Sequence, residues 1–470
     1  MGAIATAVGL SILYLIFVAH FSTNVPIADD WSVVLIGHDA LTGHLSFSLL
    51  WTQHLESRML VVNAIFVLFA WADHLNLRSV VLTSGIFLVV SYGLLLVVFR
   101  AYSRRPLTAL VVLVLGVAWL SLGDVGNALW AFQLAWYVAL LSFTLMVYLL
   151  TVSKLPRLLV VCLAAVAASA ASFSMVQGLL LWPIGALLIL WWTPWTRRIA
   201  LEFGIWVAAA FITSVTFLIG YNFHAAIALC PSRNGCTVGY AVSHPVSDLT
   251  YALQLAGDVM PTQSSQIGLH EVVGGLLLAG GFLVIFLVIR ERRRTQRNPL
   301  PLALVVFALL FDLTITVGRV GFGHPAMQQY VMPQLILLTG ILVYACGRAR
   351  SEVRTNRPLL AWGYVALAIA LLAQAATATT YGFDAGRGLQ RGAVLSGRIV
   401  ANANEIPKSE LACDESEVLE ARLVPPKTVL AVMGPYIAAA EASELSVFDP
   451  PTYEHFRQEG APPAAVCPSS

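Results

Sequence analysis

Apolar residues run along this chain in long blocks that polar residues interrupt at fairly regular intervals. The first block covers about 3–20 (AIATAVGLSILYLIFVAH). Further blocks lie near 79–99, 107–122, 128–150, 158–172, 176–192, 200–220, 271–289, 300–317, 331–347 and 359–377. Each is roughly long enough to cross ~30 Å of hydrocarbon as a helix, the shortest only marginally. The blocks do not alternate as barrel strands do, so helices are the predicted spanning elements. The expected fold class is an all-α polytopic membrane protein with about 11 transmembrane helices.

Lys and Arg orient those spans. They gather at Arg100/Arg104/Arg105, Lys154/Arg157, Arg197/Arg198, Arg290 to Arg297 and Arg348 to Arg357, which is every second connection. Those connections are expected in the cytoplasm together with the N-terminus. The alternate ones, and the tail from about 378, are expected outside the cell inner membrane. The apolar run 59–72 (MLVVNAIFVLFAWA) breaks this alternation if it crosses. At about 14 residues it is short for a span. It is expected to lie at the outer interface or to dip in and return, within a first external loop covering 21–78. The alternative is a true span with a misplaced basic loop.

Composition narrows the picture further. The 470 residues are 58% hydrophobic and 11% charged with a mean hydropathy of +0.80, which excludes a soluble protein. The net charge of +2 says little about partners. No basic, aromatic-interleaved tract points to nucleic acid. The first 20 residues have no basic leading region and no evident cleavage site, so they read as a retained span. The chain divides into a transmembrane module, 1–377, and an external C-terminal domain, 378–470. The latter is expected to be a small α/β domain with a helix near 384–404 and a strand at Thr428–Met433. Cys230/Cys236 and Cys413/Cys467 fall in external segments and suggest two disulfides, although spacing alone leaves the connectivity open. Cys162 and Cys346 fall within spans and read as packing residues.

Several groups of residues have the composition of a site. Asp29-Asp30-Trp31 puts two adjacent carboxylates where the chain leaves the first span, a candidate general base or metal site, or simply an acidic turn. His54, Glu56 and Arg58 alternate just before the 59–72 run. They suit headgroup depth, and the planar guanidinium of Arg58 suits a phosphate there. The plainer alternative is an interfacial snorkelling cluster. Arg319 and His324 stand in a glycine-rich segment that ends at Tyr330 and also reads as a hairpin between spans. Asn127, Trp130 and Gln133 share a helical face opening the 128–150 span, and Gln177 opens another. Such residues stack on and hydrogen-bond sugars, while Trp is also a common interface anchor. Asp312 lies inside a span and is a functional candidate by default.

In this order, these elements resemble the GT-C superfamily of membrane glycosyltransferases, in particular the bacterial group related to protein mannosyltransferases and the lipid A aminoarabinose transferase. The resemblance rests on Asp29-Asp30-Trp31, Gln53-His54-Leu55-Glu56-Ser57-Arg58, Trp130-Ala131-Phe132-Gln133 and Gly318-Arg319…Gln329-Tyr330, and it covers residues 1 to about 350. Two positions depart from the pattern: Ser57 stands in place of a His, and Gln329 in place of an Arg. The resemblance implies an inverting glycosyltransferase. Such an enzyme moves a sugar from a polyprenyl-phosphate donor, held in the membrane lipid, to a glycan, lipid or protein acceptor at the outer face. One of Asp29 and Asp30 would be the base. Arg58, Arg319, His54 and His324 would face the donor phosphate. Trp31, Glu56, Asn127, Trp130, Gln133, Gln177 and Tyr330 would contact substrate. A divalent cation (Mg or Mn) at Asp29/Asp30 is compatible with this chemistry and not required by it. The competing class is a transporter or lipid flippase without chemistry. Against it stand the absence of an internal repeat and the gathering of ionisable residues at one face.

Overall fold

The computed structural model describes residues 1–191, 196–224, 237–261, 267–295, 298–322, 330–352, 358–402 and 426–460. They are almost entirely helical. Among the described residues nine stretches are long and apolar enough to cross a membrane: Gly2–Phe21, Leu77–Ser103, Ala109–Ala128, Ala131–Thr151, Arg197–Leu218, Ile267–Arg292, Leu300–Arg319, Val331–Arg348 and Val365–Ala401. The chain is an all-α multi-pass membrane protein. In chain order the helices that matter below are α1 (Gly2–Phe21), α2 (Asp30–Leu41), α3 (Phe47–Leu50), α4 (Leu60–Asp73), α5 (Leu77–Ser103), α6 (Ala109–Trp119), α7 (Val125–Ala128) and α8 (Leu134–Thr151). They continue as α9 (Arg157–Ser172), α10 (Leu181–Trp191), α11 (Arg197–Leu218), α12 (Val238–Ser243), α13 (Pro245–Gly257), α14 (Ile267–Thr295), α15 (Leu300–Arg319), α16 (Val331–Glu352) and α17 (Pro358–Ala401). Among the described residues a single hairpin, β1 (Gln53–His54) and β2 (Ser57–Arg58), interrupts the helices.

Two expected spans are shorter than a crossing. The block near 158–172 is the 16-residue α9, ~24 Å long at 1.5 Å per residue. The block near 176–192 opens with a 3₁₀ turn, Val176–Leu180, before α10. Their brevity has a packing logic. The buried residues of α9 are mostly small, with Ala164, Ala165, Ala167, Ala168, Ala171 and Ser172 beside Val160 and Val161, and small residues let helices approach closely where lipid supplies no hydrophobic drive.

The run 59–72 is α4, 14 residues and ~21 Å long. Both of its ends are tied to the end of the bundle that carries Asp29. The amide of Val61 donates to Phe173 O at 3.0 Å, and just past the helix the amide of Leu77 donates to Asn24 Oδ1 at 2.9 Å. Asn76 then caps α5 through the amide of Arg78 (3.1 Å), and the Arg78 guanidinium donates to Ala19 O at the C-terminus of α1 (2.8 Å).

The tail differs from expectation. The helix predicted near 384–404 is the continuation of α17, 44 residues without a break and ~66 Å long. It runs beside the end of α1, where Phe383 packs edge-on against Phe17 and Phe21 and Gln390 donates to His20 O at 2.9 Å. The strand expected at Thr428–Met433 lies instead in α18 (Pro426–Ala442), and α19 (Pro450–Glu459) follows. No strand occurs among the described residues of the tail. Local β-branched content gave way to tertiary packing. Ser443 bonds His38 of α2 at 2.7 Å, and Ser446 accepts from Asn24 at 2.9 Å through its carbonyl. The tail therefore leans on the 24–41 segment. Cys230, Cys236, Cys413 and Cys467 lie outside the described residues, and Cys162 and Cys346 are unpaired.

Candidate functional site

At the Asp29 end of the bundle a cavity of ≈ 490 Å³ opens between the hairpin, the start of α8, the 174–177 segment and the end of α15. Its polar lining comprises Asp29, His54, Glu56, Ser57, Gln133, Ser174, Gln177, Thr314, Arg319 and Tyr330. Its apolar lining includes Phe132, Trp136 and Leu313. Leu313 belongs to a candidate spanning helix and is 57% exposed, so the wall of the cavity includes an exposed apolar side chain.

The hairpin is built to present its tip. Leu55 adopts φ 49°, a left-handed conformation that costs about 1–2 kcal/mol in a branched residue. The register Gln53↔Arg58 and His54↔Ser57 then projects Leu55 and Glu56 into the cavity. The hairpin is braced from behind by 217–222. Gln53 exchanges hydrogen bonds with the backbone of Asn222 (2.9 and 2.8 Å), and the Tyr221 hydroxyl donates to Glu56 O at 2.9 Å. On the other flank the Val176 amide donates to Ser57 Oγ at 3.1 Å, which sets Gln177 against the cavity. Gly178 permits this, because a Cβ there would overlap the backbone of Ala171.

The two adjacent aspartates go different ways. Asp29 lines the cavity with its side chain 43% exposed, and its Oδ2 stands 3.7 Å from His54 Nε2. Asp30 is 1% exposed and faces the protein. Its Oδ1 accepts from the Phe132 amide at 2.8 Å and its Oδ2 from the Ile27 amide at 3.1 Å. Burial pushes the Asp30 carboxyl up to about 8, against the downward pull of those two amides. A divalent cation, which the sequence left open, would not be shared by this pair, because Asp29 lines the cavity while Asp30 is buried with each oxygen on a backbone amide. Among the described residues no three His, Cys, Asp or Glu side chains gather as a metal site.

The two arginines divide in the same manner. Arg319 lies in the cavity, where its Nη2 donates to Glu56 Oε1 (2.9 Å) and Oε2 (3.2 Å) and its Nε to the Tyr330 hydroxyl (3.2 Å). Arg58 is buried and does not line the cavity. Its guanidinium donates to the carbonyls of Phe217, Trp51 and Ile219, between the rings of Trp51 and Tyr221. The expected phosphate role therefore passes away from Arg58, whose fork is spent on backbone.

Of the expected substrate contacts, Glu56, Gln133, Gln177 and Tyr330 meet at the cavity. Trp31 is a core residue, 3% exposed. Trp130 packs against Phe132 at 6.4 Å and lies outside the lining. Asn127 is fully buried, and its amide donates to Asp124 Oδ1 at 2.7 Å. It parts from Gln133 because no single helix runs through 127–133: α7 ends at Ala128, and a 3₁₀ turn over Ala131–Gln133 re-aims the chain. His324 lies outside the described residues. Asp312 is buried between α15 and α16, accepting from Gln334, and does not reach the cavity. Sequence reasoning passed over Trp136 and Thr314, which carry no signal beyond ordinary span composition, and met Phe132 only as part of the Trp130–Gln133 motif. It also passed over the Asp258–His270 pair (2.9 Å), which joins α13 to α14 away from the cavity.

The fold and cavity define a multi-pass membrane protein with a polar pocket at one end of its helices. No family model, curated protein or solved structure matches the chain.

Proposed function

We propose that this protein is an inverting glycosyltransferase that uses a polyprenyl-phosphate-linked sugar, with Asp29 as the general base. The observation that carries the reading is a cavity that holds a part-exposed carboxylate and a guanidinium, with the exposed apolar side chain of Leu313 from a candidate spanning helix in its wall. A lipid-linked donor has just these demands: an isoprenoid tail that stays in the bilayer and a phosphate and sugar that enter a polar pocket. The alternation of basic connections puts the Asp29 end outside the cytoplasm.

In this reading the acceptor hydroxyl gives its proton to Asp29 as its oxygen bonds to the anomeric carbon. The bond from that carbon to the phosphate oxygen breaks with its electron pair, leaving the lipid phosphate. Single displacement inverts the anomeric centre. Arg319, steadied by Tyr330, lies where the developing phosphate charge needs a cation. His54 orients Asp29. Gln133 and Gln177 take sugar hydroxyls, because neither side-chain amide has a partner among the described residues although both are largely buried. Phe132 and Trp136 offer faces for a pyranose ring.

The test is to incubate purified protein in nanodiscs with labelled polyprenyl-phosphate sugars and envelope extract, and to follow release of the lipid phosphate. Release with label transferred to an acceptor supports the reading. Passage of intact donor across the bilayer, with no lipid phosphate formed from any donor, overturns it in favour of a flippase.

A further inference from the structure

We propose that Glu56 is a resident competitor for Arg319, which the carrier phosphate displaces on binding and which expels the spent lipid phosphate on its return. This rests on the glycosyltransferase reading above and assigns a role to the hairpin that the chemistry itself does not require.

The asymmetry of the ion pair is the starting point. Both oxygens of Glu56 accept from one nitrogen, Nη2, at 2.9 and 3.2 Å. That geometry is weaker than the parallel fork of a bidentate pair. The side chains are 31% and 18% exposed, so water and ligand reach the pair from the cavity. Arg319 is held independently by the Tyr330 hydroxyl at 3.2 Å. Among the described residues the Glu56 carboxylate has no hydrogen bond or ion pair other than those with Arg319, and it sits at the tip of a two-residue turn beside Leu55, φ 49°. The mobile partner is therefore Glu56. Its backbone stays fixed by the Tyr221 hydroxyl on its carbonyl while the side chain swings.

Charge explains why such a competitor is useful. The donor is a phosphodiester with one negative charge. The product is a monoester with a charge of about −1.5 to −2 near neutral pH, so an unopposed Arg319 would bind the product more tightly than the donor. A carboxylate that re-forms its pair with Arg319 lowers the affinity for either species and, by repulsion, most for the more highly charged product, which speeds a release step that is a common rate limit in enzymes.

The test uses full-length protein in nanodiscs, with farnesyl phosphate and inorganic phosphate titrated separately. Glu56→Gln should bind farnesyl phosphate about tenfold more tightly than wild type, one charge of repulsion having been removed, while Arg319→Gln binds it at least tenfold more weakly. With a sugar donor, product formation by Glu56→Gln should show a burst, its steady rate falling below that of its own first turnover. Glu56→Asp, whose carboxylate falls about 1.5 Å short, should shift in the same direction by a smaller factor. Unchanged or weaker farnesyl phosphate binding in both Glu56 variants overturns the proposal, as does product formation without a burst. Inorganic phosphate tightened as strongly as farnesyl phosphate overturns its assignment to a lipid carrier. A protein that releases no lipid phosphate from any donor fails the glycosyltransferase reading, yet leaves the binding comparison intact. The two failures are thus distinguishable.

Discussion

Asp29 and Asp30 are neighbours in sequence, and Glu56 and Arg58 are two residues apart, yet each pair splits between two regions of the molecule. One region is the cavity wall, where Asp29, Glu56, Arg319 and Gln133 meet open space. The other is the frame behind it, where Asp30 spans to the Phe132 amide and Arg58 gathers three carbonyls. The same chemical groups do opposite jobs. In the frame their hydrogen-bonding capacity is met by backbone, and desolvation is tolerated because partners are in place. On the wall it is left available, and the charges face water or one another. The difference teaches that residue type near a membrane exit marks a site region, while orientation decides which members are chemical.

The sharpest way to break this comparison is at Asp29. Asn keeps size and some hydrogen bonding and cannot take a proton. Asp29→Asn should therefore lower sugar transfer by ~10²–10⁴, with donor affinity and unfolding midpoint near those of wild type. Transfer at the wild-type rate would place the base elsewhere.

Substitutions in the frame should act through stability. Asp30→Ala strands two buried amides and Arg58→Ala three carbonyls, and each should cost ~2–4 kcal/mol. Unfolding in detergent measures this. If either variant keeps wild-type stability and loses only turnover, that residue belongs to the wall. Arg58→Lys should recover part of the loss, because a point charge cannot reach all three carbonyls in one plane.

A titration sharpens the same contrast. The Asp30 carboxyl is held up to about 8 in the native protein against 3.8 as its ordinary value. Between about pH 4 and about 8 the native state keeps a proton that the unfolded chain gives up. Its contribution to stability is therefore complete below about pH 4 and is lost as pH rises through that window. Wild type should lose more stability between pH 5 and 8.5 than Asp30→Asn, which does not titrate. Equal losses would remove Asp30 from this account.

How far the sequence could anticipate the two regions follows from the range of the interactions. Spans were legible because an apolar run of about twenty residues has few alternatives in a membrane. The shortness of α4 was legible by counting. The strand at Thr428–Met433 was misread because a local preference was set against unseen packing on α2. The role of Arg58 was not legible, since the carbonyls of Phe217 and Ile219 lie 159 and 161 residues away. The split of Asn127 from Gln133 was hidden by a break in the helix that apolar composition does not announce. Which of two adjacent aspartates faces outward depends on one backbone amide at Phe132.

The smallest effect concerns two buried glutamines. Gln374 belongs to the frame: its amide donates to Ser121 Oγ at 3.2 Å and to Val259 O at 3.3 Å. Gln133 is 6% exposed, lines the cavity, and its side-chain amide has no partner among the described residues. Its polar atoms face the open cavity and not packed protein, so a ligand there meets an amide whose bonding capacity is available. Gln133→Leu should then leave stability unchanged or slightly raised while increasing KM for the donor about tenfold, the worth of one or two hydrogen bonds. Gln374→Leu should do the reverse, losing ~1–3 kcal/mol of stability with KM unchanged in the protein that remains folded. The pair tests orientation at constant chemistry. If Gln133→Leu destabilises as Gln374→Leu does and leaves KM alone, the amide at the cavity is part of the frame, and the wall reduces to its charged members.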